Sequence, residues 1–124
     1  MRDFNQAILI GTVNGDVTSK EVGGTPFASF RVESVEEREK EGTVNRYSTW
    51  LTCVAWGRRA EQVTQEVKTG QRIFVRGSIR VRTYDKEGEK RVVTEISIAE
   101  FDVLTKPGQR ADDRTEDEQD DLPF

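Results

Sequence analysis

The chain has 124 residues, of which 34% are hydrophobic and 34% charged, and its formal net charge is −4. This length accommodates one domain with a short extension, and the single cysteine, Cys53, excludes an internal disulfide. No segment is apolar and long enough to span a membrane, and the N-terminus lacks the apolar run of a signal peptide, so we expect a cytoplasmic protein without a membrane partner.

The first half of the chain is predicted to form strands. An apolar run at residues 6–13 and a partly alternating segment at 27–35 are typical of strands, with a turn-rich connection between them and a charged loop at 36–44. A third strand is predicted at 45–56, which is rich in aromatic and β-branched residues. Residues 58–68 place apolar side chains on one face and predict the one helix.

Two further strands, at 71–84 and 91–104, complete the predicted body. If straight, the first would span about 45 Å at ~3.3 Å per residue, which is too long for so small a domain, so we expect it to bend at Gly77. Three strands, a short helix and a two-stranded hairpin predict an all-β fold. A five-stranded Greek-key OB-fold barrel fits this order better than a sandwich, which usually needs more strands.

Arginine and aromatic side chains alternate with apolar ones along the strand predicted at 71–84. Ile73, Val75, Ile79 and Val81 are expected to face the core. Because guanidinium groups bind phosphate and aromatic rings stack on bases, the opposite face predicts binding of single-stranded nucleic acid. Two alternatives are an acidic neighbouring strand that balances this face, and a bulge at Gly77 that divides it. The residues of this face are Arg72, Phe74, Arg76, Arg80, Arg82 and Tyr84.

The strand predicted at 45–56 shows the same combination. Trp50 and Trp56 fall on one face together with Arg46. The opposite face offers Leu51 and Cys53 to the core, so we interpret the tryptophans as a stacking platform rather than as core residues. Cys53 is then a small buried hydrophobic residue and not a nucleophile.

Enzymatic chemistry finds little support in the sequence. The chain has no histidine, which removes the commonest general base and most transition-metal sites. No glycine-rich phosphate-binding motif is present, and the acidic residues between 33 and 41 are better explained as a charged loop than as a Mg²⁺ site. We therefore expect no enzymatic activity and no cofactor.

The end of the chain differs from the body in charge. Residues 1–108 carry 17 Lys and Arg against 16 Asp and Glu, whereas residues 109–124 carry 2 Arg against 7 acidic residues. So acidic a segment is expected to be disordered. We expect a domain at 1–106, a flexible acidic linker at 107–119 and a protein-docking tip at 120–124, although a solvated tail that ends on an apolar residue by chance is the alternative. The tip consists of Asp120, Asp121, Leu122, Pro123 and Phe124.

Together these motifs resemble the bacterial single-stranded DNA-binding proteins. The resemblance implies an OB fold that assembles as a homotetramer, coats single-stranded DNA in replication, recombination and repair, and recruits partner enzymes through its tip. The similar segments are 5–11 (NQAILIG), 15–16 (GD), 27–30 (FASF), 50–57 (WLTCVAWG), 70–77 (GQRIFVRG), 80–84 (RVRTY) and 120–124 (DDLPF).

The resemblance also assigns roles to single residues. Trp50 and Trp56 match base-stacking aromatics, Tyr84 stands where many members have Trp, and Arg58 matches a DNA-contacting lysine. Arg80 and Arg82 match arginines that contact the DNA backbone. An aromatic that some members carry after the 27–35 strand is replaced by charge near Arg38, Val17 stands where Pro is usual, and the tail is short.

The resulting hypothesis is a non-enzymatic protein that binds single-stranded DNA independently of sequence. The alternatives are an OB-fold primosomal adaptor that binds protein, and an RNA-binding variant. The expected stacking residues are Trp50, Trp56, Phe74 and Tyr84, and the expected phosphate-binding residues are Arg46, Arg58, Arg72, Arg76, Arg80 and Arg82.

Overall fold

The computed structural model describes residues 2–105, which form a closed barrel of five strands and one helix. The strand order around the barrel is β1-β2-β3-β5-β4, with β3 and β5 parallel and the other neighbours antiparallel. The predicted all-β OB-fold barrel with one short helix is therefore confirmed. The elements are β1 (Ala7–Val22), β2 (Thr25–Lys40), β3 (Thr43–Trp56), α1 (Arg58–Glu66), β4 (Arg72–Lys86) and β5 (Glu89–Val103).

The predicted acidic linker and docking tip, residues 107–124, lie outside the described residues, as does the last residue of the predicted domain at 106. Within residues 2–105, no helix is long and apolar enough to cross a membrane.

The strands are longer than the sequence pattern predicts. The turn-rich connection expected at 14–26 is only partly right. Gly15 has φ 88° within a register shift between Asn14 and Thr18, and a turn follows at Gly23-Gly24, but β1 continues to Val22 between them. The charged loop expected at 36–44 is wrong, because most of it lies in the β2–β3 hairpin. Each hairpin closes through two residues at positive φ, the geometry that matches strand twist. These turn pairs are Gly23-Gly24, Glu41-Gly42 and Glu87-Gly88.

The barrel core consists mostly of small and β-branched side chains, together with Phe30. Ala28, Phe30 and Val32 of β2 are buried, as the alternation of that strand predicts, and Cys53 of β3 packs in the same cluster. Helix α1 contributes Ala60 and Val63 to this core. The core therefore leaves the outer faces of β2 and β3 available for other side chains.

Strand β4 leaves the barrel in its second half. Residues 73–77 pair with both β1 and β5, whereas residues 78–86 pair with β5 alone. Ile73 and Val75 are buried as predicted, but Ile79 and Val81 are exposed, so their predicted place in the core is wrong. Within residues 2–105, β1 does not flank this part of β4, and Ile79 and Val81 are therefore open to solvent.

Gly77 lies where β4 and β5 change register. Arg76 pairs with Glu100 and Gly77 with Ile98, so the extra residue of the bulge, Ala99, belongs to β5. A Cβ at Gly77 would lie 2.0 Å from the carbonyl oxygen of Ser97, so only glycine allows this approach. Because the bulge is in β5, the side-chain alternation along β4 is not reversed.

Candidate nucleic-acid interface

A groove of about 450 Å³ runs across the outer face of the barrel. Its walls come from the end of β1, the start of β2, the end of β3 and the neighbouring parts of β4 and β5. Three of its residues were predicted from the sequence, namely Trp56, Arg80 and Arg82. Three others were not, namely Lys20, Phe27 and Glu95.

The two tryptophans of β3 are accessible from solvent. Trp50 is 48% exposed and Trp56 47% exposed, so neither indole is sealed in the core. Trp56 pairs with Phe27 across β2 and β3, and the two rings meet edge to face with centroids 4.7 Å apart. This contact supports one side of the Trp56 ring and leaves the indole partly accessible beside the groove.

The chain leaves Trp56 through a sharp local turn. The N–H of Gly57 donates to the carbonyl of Pro26 over 2.9 Å, and Gly57 has φ 67°, which favours glycine. Helix α1 starts at the next residue, Arg58, whose side chain is exposed. The helix therefore begins with an exposed guanidinium just after Trp56, the residue whose indole borders the groove.

Arg82 is held by a carboxylate on the groove floor. Its Nε donates to Oε1 of Glu95 over 2.8 Å and its Nη2 donates to Oε2 over 3.4 Å. The side chain of Glu95 is only 5% exposed, whereas that of Arg82 is 54% exposed. The hydrogen bond with Glu95 raises the pKa of Arg82. The pair has little net charge, so Arg82 offers N–H donors but a weakened positive field.

Arg80 and Tyr84 flank Arg82 on the same strand face. Arg80 is exposed, and among the described residues no carboxylate lies within ion-pair distance of it. Tyr84 is also exposed, and the guanidinium carbon of Arg82 lies 5.7 Å from its ring centroid. Glu95 stands opposite Arg80 in the β4–β5 register, but its carboxylate bonds to Arg82. Arg80 is thus the groove arginine that forms no ion pair within residues 2–105.

The first half of β4 faces different neighbours. Phe74 pairs with Ile10 of β1 and with Asp102 of β5. Arg72 donates from Nη1 to the Thr12 hydroxyl over 3.4 Å. Neither side chain lines the groove, since the flanking strand changes at Gly77. The continuous face predicted from the sequence is therefore divided in two.

Arg76 belongs to this second group. Its Nε donates to Oε1 of Glu100 over 3.3 Å. For this part of β4, an acidic neighbouring strand does balance the basic face, which was one of the two alternatives left open by the sequence.

Arg46, on the β2–β3 hairpin, lies 3.7 Å from Glu37, and both side chains are largely exposed. Solvent screens such a pair, so Arg46 can exchange Glu37 for another anion at small cost.

The β2–β3 hairpin does carry an aromatic side chain near Arg38. The guanidinium carbon of Arg38 lies 5.5 Å from the ring centroid of Tyr47, which is exposed on the facing strand. Arg38 also donates to Glu36 over 3.2 Å. Tyr47 is on β3, whereas the resemblance placed an aromatic residue directly after the 27–35 strand. For this reason the sequence analysis did not identify Tyr47 as an aromatic residue of this hairpin.

Cys53 has no role in the groove. It is fully buried in the core cluster, and burial raises the pKa of its thiol to about 12. A thiol that stays protonated is a poor nucleophile, which agrees with its predicted structural role. In the described part of the chain, no group of three or more His, Cys, Asp or Glu residues is placed to hold a metal ion.

The groove residues that were not predicted differ in how strongly the local sequence pattern indicated them. Phe27 alternates with the buried Ala28 and so belonged to the outer face by its parity. Lys20 lay in a segment predicted to be a turn. Glu95 gave no local signal, because its role comes from its hydrogen bonds with Arg82 on the neighbouring strand β4.

Comparison with known proteins agrees with this geometry. Residues 4–104 match the model of the single-strand binding protein family. Single-stranded DNA-binding protein 1 of Xylella fastidiosa is 34% identical over 110 residues, covering 86% of this chain and 81% of that protein. Single-stranded DNA-binding protein 1 of Chlorobaculum tepidum is 28% identical over 107 residues, covering 83% of this chain and 66% of that protein.

Solved structures share the fold. The Plasmodium falciparum SSB in complex with ssDNA superposes with a TM-score of 0.75 at 21% identity, covering 85% of this chain and 98% of that one. Because the family model spans most of the chain, and the Xylella protein is matched over most of its length, the assignment does not depend on the fold alone. The chain belongs to the single-strand binding protein family.

Proposed function

We propose that this protein binds single-stranded DNA without sequence preference and without enzymatic activity. The observation that carries the proposal is the groove lined by both the accessible indole of Trp56 and the exposed guanidinium of Arg80. The names of the relatives and the DNA-bound Plasmodium structure support the same ligand.

The chemistry of the groove favours unpaired strands. Base–aromatic stacking contributes about 1–3 kcal/mol per base and accepts every base, because each has a π face. A duplex hides these faces, so Trp56 in the groove, and Trp50 farther along β3 outside it, have nothing to stack on in double-stranded DNA. Arginines that bind phosphate add affinity without reading sequence.

A role in replication, recombination and repair in the cytoplasm follows from the resemblance. In this proposal the tip at 120–124 docks partner enzymes, with Phe124 buried in an apolar pocket and the acidic residues paired with cations. Support comes from its sequence, since these residues lie outside the described part of the chain.

Self-association to a homotetramer is part of the proposal. Ile8 and Ile10 of β1 are exposed and pair with Arg76 and Phe74 of β4. Ile8, Ile10 and Phe74 place an apolar patch, bordered by Arg76, on the side of the barrel that does not line the groove. Contiguous exposed apolar surface of this kind marks protein interfaces. Molar mass in solution, measured with and without long poly-dT, tests assembly and stoichiometry together.

The DNA-binding proposal is tested by titrating tryptophan fluorescence with oligo-dT and with a duplex of equal length. We expect quenching by oligo-dT at micromolar protein and low salt, and far weaker quenching by the duplex. Trp56→Ala is expected to weaken binding by about 1–3 kcal/mol. Absence of quenching by oligo-dT in the intact protein at low salt refutes the proposal.

A further inference from the structure

A row of three side chains crosses the groove end of the barrel. Lys20 of β1 pairs with Phe27 of β2, and Phe27 pairs with Trp56 of β3. Paired residues of antiparallel strands project to the same side, so the three side chains stand next to one another. The Nζ of Lys20 lies 5.4 Å from the Phe27 ring centroid, and that ring meets the Trp56 indole.

The position of Lys20 is maintained without cancelling its charge. A cation over an aromatic face is attracted by the quadrupole of the ring, which carries no net charge. Lys20 is exposed, and within residues 2–105 it forms no ion pair. Arg82, in the same groove, is neutralised by Glu95. Lys20 is therefore a preorganised cation with a full charge.

We propose that Lys20, held over Phe27, forms a phosphate subsite that binds the phosphodiester next to the base stacked on Trp56. The inference rests on the proposed single-stranded DNA binding. Two strand spacings of about 4.8 Å separate the backbones of Lys20 and Trp56, a distance that one nucleotide bridges from its base to a neighbouring phosphate. The ammonium covers a face of Phe27, so this ring positions the lysine rather than stacking a base.

The first test compares Lys20→Gln with Lys68→Gln in oligo-dT titrations over a range of salt concentrations. Both variants lose one exposed positive charge, but Lys68 lies beyond helix α1 and does not line the groove. Each phosphate neutralised on a single strand contributes about −0.7 to the slope of log K against log salt.

For Lys20→Gln we expect the slope to become shallower by about 0.7, and affinity to fall about eightfold at about 0.05 M salt and about threefold at about 0.2 M, relative to 1 M. Lys68→Gln is expected to retain the wild-type slope. Equal slopes for the two variants overturn the inference. Failure of the wild-type protein to bind refutes the proposed function instead, so the two outcomes are distinguishable.

The second test separates phosphate from base contacts and examines the ring. With a methylphosphonate oligo-dT, whose backbone is uncharged, Lys20→Gln is expected to bind as tightly as the wild type. A loss of affinity there contradicts a phosphate contact. Phe27→Leu is expected to reduce the effect of Lys20→Gln in a double-mutant cycle, whereas Phe27→Tyr, which keeps the ring, preserves it. An undiminished effect in the Phe27→Leu background contradicts positioning by the ring.

Discussion

Replacing Glu95 by glutamine separates the charge of the groove floor from its shape. In the wild-type protein the nearly buried carboxylate of Glu95 holds Arg82 by two hydrogen bonds of 2.8 and 3.4 Å. The pair is close to neutral, so a phosphate that contacts Arg82 releases few counterions. The amide of the Glu95→Gln variant keeps an oxygen acceptor for Arg82 but restores the full positive charge of the guanidinium.

Restoring that charge is expected to steepen the slope of log K against log salt by about 0.7, the value of one additional phosphate contact on a single strand. Relative to 1 M salt, this corresponds to about eightfold tighter binding at about 0.05 M. The same variant loses a charge-assisted hydrogen bond, but Arg82 is half exposed and screened by water, so we expect a destabilisation of about 1 kcal/mol. Glu95→Gln thus becomes less stable and binds more tightly at low salt.

The assay is tryptophan quenching by oligo-dT at four or more salt concentrations, together with urea unfolding monitored by circular dichroism. Glu100→Gln is the matched control, because Glu100 also pairs with an arginine, Arg76, but outside the groove. Its slope is expected to stay at the wild-type value. Weaker binding by Glu95→Gln with an unchanged slope refutes the reasoning, since Glu95 then acts by aligning Arg82 and not by neutralising it.

Three further predictions concern the fold and the tail. Gly77→Ala is expected to destabilise the barrel by several kcal/mol, because its Cβ meets the Ser97 carbonyl at 2.0 Å; thermal unfolding beside Ser78→Ala checks this, and equal melting temperatures contradict it. Folding raises the pKa of Cys53 from 9.0 to about 12, so the contribution of the thiol to stability is complete below pH 9 and is lost between pH 9 and 12. The free energy of unfolding, measured with urea, is expected to fall more over that range for the wild type than for Cys53→Ala, and equal falls argue against it. Deleting residues 109–124, which carry 7 acidic residues, is expected to raise affinity for oligo-dT modestly at low salt; identical titrations of the two chains rule out competition by the tail.

Local sequence pattern determined the barrel and the orientation of most β-strand side chains. Side chains alternate along a strand with a period of two, which depends only on the backbone of that strand. The pattern therefore placed Trp50 and Trp56 outside and Phe30 and Cys53 inside, as the structure shows. The order of strands and helix was likewise sufficient for the fold class, since few topologies accommodate it.

The limits of the strands were beyond local pattern. Charged residues at 36–40 predicted a loop, but pairing with β3 keeps them extended. Turn-forming residues at 14–16 match an interruption of pairing around Gly15, whose φ is 88°, but they did not predict that β1 resumes pairing with β2 from Thr18. Ile79 and Val81 had the alternation of core residues, yet they are exposed because β1 pairing with β4 ends at Gly77 in the described part of the chain. Tertiary pairing overrides local preference in strands because side-chain packing decides their stability.

The electrostatics of the groove were decided by tertiary structure alone. Arg80 and Arg82 are equivalent in sequence pattern, but only Arg82 meets the carboxylate of Glu95, which lies 13 residues away in the chain. The row of Lys20, Phe27 and Trp56 likewise forms only when β1, β2 and β3 align. A sequence states which charges a strand carries. Register between strands sets which partners lie within reach: Glu95 stands opposite Arg80, and its carboxylate bonds diagonally to Arg82. Coulomb interactions depend on the distances that this arrangement creates.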